Sequence, residues 1–300
     1  MFRLVARTLI ATVLLVGSAE PARRPSLVMH RLMYQPGLVL DRYETEPRFT
    51  ATTRTVLLVH GCCGDRRDLA SLARTLARRG AKVFNADVHA VGHGGGWPST
   101  YLDVVCAVAA ITAEGVTATE LTLVGWDDGA LVASAVLLGW STVSTFASEC
   151  RWPIPVDGPK NFVGLSGHYG WVGDVPSHLL TGETIEWFGG DPRTDPVAWN
   201  LGNPSWWGLH RQLGGRIPRV LLLGTDSDLS SRDFAALLAN DGVSAEARLL
   251  GPGTHSDLIL PRGVLGFEAV DLIARWMNLP SQQLESTGPD APGSGSVPAC

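Results

Sequence analysis

No run of lysine or arginine crosses the body of this 300-residue chain, and its formal net charge is −5. That excludes the basic stripe by which proteins grip nucleic acid. There is no Cys-x-x-Cys pair among the five cysteines, so zinc and dithiol redox motifs have no support. No internal repeat is visible, and no metal or cofactor signature is read. No apolar run is long enough to span a bilayer unaided, so no stable membrane span is expected. Charged residues make up only 18% and hydrophobic residues 45%, the balance of a globular protein with a sizeable core.

The first 19 residues read as an export signal: Arg3 and Arg7, an apolar run from Leu9 to Val16, then the small residues Gly17, Ser18 and Ala19 at a cleavage site. The mature protein is therefore expected outside the cytoplasm, where disulfides form, and Cys106 with Cys150 is one candidate bridge. A single domain is expected over 26–279. The stretch 280–300, rich in Ser, Gly and Pro, is expected to be disordered.

Short apolar runs alternate with helix-like segments. Leu27–Tyr34 and Leu38–Tyr43 flank Pro36-Gly37 as a hairpin. Strands are expected at Thr55–Val59, Lys82–Ala86, Leu121–Val124, Asn161–Leu165, Arg219–Leu223 and Ala245–Leu250. Helices are expected at Arg67–Arg79, Tyr101–Glu114, Ala130–Leu138, Ser231–Asn240 and Val264–Met277. The alternation predicts an α/β fold, a mostly parallel sheet with helices on both faces. Between Tyr169 and Ile217 the rhythm breaks. Trp171, Trp187, Trp199, Trp206 and Trp207 fall there and either line an apolar cleft or pack as core.

Gly125-Trp126-Asp127-Asp128-Gly129 lies between the strand at Leu121–Val124 and a helix. Strand, Gly-x-nucleophile-x-Gly, helix is the layout of a nucleophile elbow, whose glycines allow a sharp turn that lifts one side chain above the sheet. Serine is the usual occupant; here it is Asp127. Weaker candidates are His89-x-x-x-His93, which has metal-like spacing in a glycine-rich loop, and Ser166 in Leu165-Ser166-Gly167-His168, which mimics a serine site after the next strand.

Together the motifs resemble the carboxylesterases and lipase-like acetylesterases of the α/β-hydrolase superfamily. His60-Gly61-Cys62-Cys63-Gly64 is similar to their oxyanion loop, and the likeness continues in order through Gly94-Gly95-Gly96-Trp97-Pro98, the elbow, Phe188-Gly189-Gly190-Asp191-Pro192, Leu223-Gly224-Thr225-Asp226 and Gly253-Thr254-His255. The resemblance implies oxyanion donors at Cys62 or Cys63 and at Asp128, a relay histidine at His255, and its acid at Asp226 or Asp228. The nucleophile position is Asp127. Epoxide hydrolases and haloalkane dehalogenases of the same superfamily carry Asp there, although their Asp-Trp pair after the elbow is absent here.

An ionised carboxylate attacks an ester carbonyl poorly, because the adduct expels carboxylate before alkoxide. Attack on a saturated carbon bearing an epoxide or halide gives an alkyl ester that activated water can cleave. The chain is thus expected to be an exported hydrolase that takes a small apolar substrate, with Asp127, His255 and Asp226 or Asp228 in the chemistry. Two alternatives stand beside it: an inactive esterase-like binding protein, and an esterase-like hydrolase with Asp127 as general base.

Overall fold

Eight strands form one sheet in the computed structural model, which describes residues 26–46, 54–61, 64–90, 93–170, 182–210 and 218–279. The export segment, the tail beyond 279, Cys62, Cys63 and Trp171 lie outside the described residues. The strands are β1 (Ser26–Gln35), β2 (Leu38–Glu46), β3 (Thr55–Val59), β4 (Lys82–Ala86), β5 (Thr122–Trp126), β6 (Asn161–Leu165), β7 (Arg219–Gly224) and β8 (Ser244–Leu249). Their order across the sheet is β1-β2-β4-β3-β5-β6-β7-β8. The β1–β2 hairpin turns at Gly37, whose φ of 80° suits glycine, and β2 joins β4 antiparallel. From β4 to β8 every pairing is parallel.

Alternation along the central strands divides the core in two. Leu57, Val59 and Leu123 face one layer with the helices α2 (Ser99–Ala113) and α3 (Asp128–Leu138). Val56, Leu58, Val124 and Trp126 face the other, with α1 (Ala70–Arg78) and α9 (Val264–Trp276). With both faces covered, β3 and β5 are buried at every residue, as central parallel strands require. In α3, Gly129 to Leu138 are all buried, so the elbow helix runs through the middle of its layer.

The remaining helices are α4 (Trp140–Val143), α5 (Gly182–Phe188), α6 (Pro196–Leu201), α7 (Pro204–Leu209) and α8 (Leu229–Asn240). The expected α1 began at Arg67, but the helix starts at Ala70. Asp65 and Asp68 hold the intervening residues in a turn, accepting from the Arg67 and Asp65 backbone N–H groups, and Asp87 accepts from the N–H of Arg66.

Of the stretch after Tyr169, the described residues 182–210 hold the short helices α5 to α7. Trp187, Trp199 and Trp207 are buried there, their indole N–H groups donating to the Tyr101 hydroxyl, the Gly190 carbonyl and the Leu201 carbonyl. Of the two readings of these tryptophans, core packing describes these three. Cys106 and Cys150 form the disulfide, tying α2 to the segment before β6.

Candidate active site

The elbow is formed. Asp127, at the N-terminus of α3, has φ 56° and ψ −127°. This backbone region is costly for a side-chain-bearing residue and is typical of functional turns. The flanking glycines make it possible. A Cβ on Gly125 would fall 2.4 Å from Ala130 Cα, and one on Gly129 would fall 2.3 Å from the carbonyl oxygens of Val59 and His60. The Asp127 N–H donates to the Leu165 carbonyl (3.0 Å), and its own carbonyl accepts from the Ala130 N–H (2.9 Å). The turn is therefore pinned to both β6 and α3.

The Asp127 residue is only 8% exposed. Burial, and next the neighbouring charge of Asp128, push its carboxyl up to about 6, while His168, His255 and the Asp128 N–H pull the other way. Its two oxygens meet different surroundings. Oδ2 lies against Gly61, where a Cβ would come within 2.9 Å of it. Oδ1 lies 3.8 Å from Nδ1 of His168, whose ring is 62% exposed. The same Nδ1 is 3.5 Å from Oδ1 of Asp128. The Asp128 carboxylate first, then the charges of Asp127 and Asp228, hold the His168 imidazole above its ordinary value.

The other expected residues are placed as follows. His255 opens a 3₁₀ turn, His255–Ile259, that packs over the ends of β6 and β7. Its carbonyl accepts from the Trp126 indole (3.1 Å), and its ring lies 5.6 Å from that indole. Asp226 is exposed, with its N–H on the Gly251 carbonyl. Asp228 caps α8, accepting from the Ser231 N–H (3.1 Å) and hydroxyl (2.8 Å). No hydrogen bond or ion pair joins the His255 ring to Asp226 or Asp228. The structure brings Asp127 and Asp128 together with His168, which the sequence reading passed over. The signal was there: His168 stands three residues beyond the end of β6, the strand beside the elbow strand. The N–H of Asp128, expected as an oxyanion donor, is on the Asp127 carboxyl, and the loop donors expected at Cys62 and Cys63 lie outside the described residues.

Asp127, Asp128 and His168 are also the one group of three His, Cys or acidic side chains, among the described residues, with donor atoms within 4.8 Å of one another. In that group Nδ1 of the imidazole lies between the two carboxylates, 3.8 Å from Asp127 and 3.5 Å from Asp128. His89 and His93 line a separate polar cavity of about 280 Å³. There His89 Nδ1 is tied to the buried Asp103 (2.9 Å) and His93 is exposed. His60 donates from Nδ1 to the Gly61 carbonyl (2.8 Å) and accepts from the Val88 N–H (3.1 Å). It is thereby a neutral strut of the loop; burial lowers its basicity.

An elbow between a parallel strand and a buried helix, at the carboxyl edge of an eight-stranded sheet whose first strands run antiparallel, decides the fold. It is the α/β-hydrolase fold. Solved structures agree. An esterase/lipase from an uncultured bacterium has a TM-score of 0.64 at 16% identity over 84% of each chain. Esterase B from Lactobacillus rhamnosis has a TM-score of 0.67 at 17% identity, covering 83% of this chain and 86% of that one. A hormone-sensitive lipase from a metagenome library has a TM-score of 0.63 at 17% identity over 86% of each chain. No protein-family model and no curated protein sequence matches the chain.

Proposed function

We propose that this α/β-hydrolase-fold chain is an exported hydrolase in which the Asp127 carboxylate attacks a saturated carbon and the resulting alkyl ester is then cleaved by water. The observation that carries this reading is the division of the carboxylate, with Oδ2 against Gly61 at the start of the loop after β3 and Oδ1 towards the exposed ring of His168. Alkylation at Oδ1 leaves Oδ2 as the ester carbonyl oxygen. Water adding to Cγ then develops negative charge on Oδ2, beside the backbone of Gly61, while the Asp128 N–H donates to the same carboxyl group. Donors fixed where charge appears are the main means by which such intermediates are stabilised. The reaction takes a small apolar substrate with a C–O or C–halogen bond and uses no cofactor. The Cys106–Cys150 disulfide supports the export part of the reading, since such bridges persist in oxidising compartments.

A carboxyl pushed up to about 6 also suits a general base near neutral pH, the second reading. Turnover in isotopically heavy water separates the two. The nucleophile reading expects heavy oxygen in the Asp127 carboxylate, on the peptide containing Gly125–Gly129. Product formed without label in that carboxylate means that Asp127 activates water instead. Pure folded protein without turnover on epoxides, haloalkanes or esters would leave the scaffold as a binding protein.

A further inference from the structure

We propose that His168 is the acid–base partner of Asp127, and that the pair is built to open epoxides, whose leaving oxygen needs a proton. This rests on the nucleophile reading above and names its missing partner and its substrate class.

The chain fixes His168 from both sides. Ser166 adopts φ 43°, a left-handed turn at the end of β6 that throws the chain back towards the elbow. Gly167 then presses on the first turn of α3, where a Cβ would fall 2.5 Å from that of Ala130. On the far side the Tyr169 N–H donates to the Ser230 hydroxyl (3.2 Å), and the Tyr169 ring stacks on Phe234 with centroids 4.7 Å apart. The imidazole so held faces Oδ1 of both Asp127 and Asp128. Among the described residues no hydrogen bond or ion pair ties the His255 ring to a carboxylate; its carbonyl accepts from the Trp126 indole and its ring lies beside that indole.

Oδ1 of Asp128 and of Asp127 lie beside Nδ1 of His168, and these charges with that of Asp228 raise its basicity, so the proposed cycle starts from the imidazolium. When Oδ1 of Asp127 attacks an epoxide carbon, the new C–O bond forms as the ring C–O bond breaks, and the freed alkoxide takes the imidazolium proton. Two things have then changed around His168: it is neutral, and Asp127 is an uncharged ester. It is now a base. It accepts a proton from water as the water oxygen bonds to Cγ of Asp127. The tetrahedral adduct collapses with loss of the Cγ–Oδ1 bond, and the departing alkoxide takes the proton of the added hydroxyl. A diol leaves, and the carboxylate–imidazolium pair stands as at the start. A halide leaving group uses no proton, so the first half of this cycle would leave the imidazolium idle.

The test compares wild type, His168→Gln and His255→Gln with styrene oxide and with 2-phenylethyl bromide, reading intact mass and product. For His168→Gln we expect ester formation with the epoxide to slow by about a hundredfold, the scale of lost acid–base assistance. The same variant should be alkylated by the bromide within about threefold of the wild-type rate, on the scale of a change that leaves acid–base assistance untouched, and should keep the adduct. His255→Gln should turn over both probes. If instead His255→Gln accumulates the ester while His168→Gln turns over normally, the assignment to His168 is overturned and the Asp127 nucleophile stands. If wild type forms diol without label or adduct on Asp127, the nucleophile reading itself fails. A substrate-free arm uses imidazole NMR. Asp127→Asn imitates the neutral ester, and with Asp128, Asp228 and His255 unchanged the His168 titration should move to lower pH. A titration that stays in place overturns the coupling.

Discussion

Removing the charge of Asp127 should make the protein more stable at neutral pH. The carboxyl sits at about 6 against an ordinary 3.8. At about 1.4 kcal/mol per pKa unit, that gap corresponds to about 3 kcal/mol. The sign follows from the direction. A folded value raised above the unfolded one means that the folded state prefers the protonated acid. The group therefore opposes folding above about pH 6, and the opposition disappears below the unfolded value. Asp127→Asn keeps the strained backbone and removes the charge. It leaves an amide with imperfect partners and takes from His168 one of its carboxylates, so the net gain should be roughly 1 to 3 kcal/mol. Urea unfolding of both proteins at about pH 4, 5.5, 7 and 8, spanning the two values, measures it. The variant should be more stable at the two higher values, and the difference should close towards the lowest. A variant equal to or weaker than wild type at the highest pH, or a difference independent of pH, would refute the burial argument. A gain, by contrast, marks Asp127 as a residue kept against stability, the usual sign of function.

Three further outcomes are expected. Replacing Cys106 and Cys150 by serine opens a link with a sequence separation of 44. By loop-closure entropy this loses about 4 kcal/mol, and the melting temperature should fall by roughly 10 °C relative to the oxidised wild type; an unchanged melting temperature would refute it. Gly129→Ala should destroy the elbow, since its Cβ would meet two carbonyl oxygens at 2.3 Å, whereas Gly189→Ala, at φ 75° with nothing near, should cost only about 1 kcal/mol; comparable thermal shifts for the two would contradict the close-contact account. Asp127→Ser should gain acylation by an activated short-chain ester or a phosphonate probe, because the motifs around the elbow resemble those of serine esterases; a folded variant that takes neither label shows that the oxyanion loop does not support acyl transfer.

The sheet was legible because its signals are local. Thr55–Val59, Lys82–Ala86 and Asn161–Leu165 are short apolar-rich runs between helix stops and turns, and each is a strand over the expected span. The elbow was legible for the same reason: five consecutive residues contain both glycines that its close packing demands. Short helices such as α6 and α7 were not, since six residues hold less than two turns and no sustained period. Their starts are set by prolines at Pro196 and Pro204 behind the capping side chains of Asp195 and Asn203.

The site's charge partner was hidden by a different circumstance. The motif order pointed to His255, on the segment after the last strand. That histidine does reach the carboxyl edge of the sheet, where its field acts on Asp127. What no spacing rule states is which histidine finds a carboxylate. His168 does so because parallel register sets Trp126 beside Leu165, so the residues just past the ends of β5 and β6 emerge side by side. One left-handed residue at Ser166 and one missing Cβ at Gly167 then turn the next side chain onto the elbow. The serine-site mimic in Leu165-Ser166-Gly167-His168 thus supplies the turn and the histidine while its serine hydroxyl stays buried without a partner. The buried carboxylate of Asp127 acquires the His168 imidazole as a neighbour from the loop of the adjacent strand, and that neighbour opposes the rise that burial imposes on it.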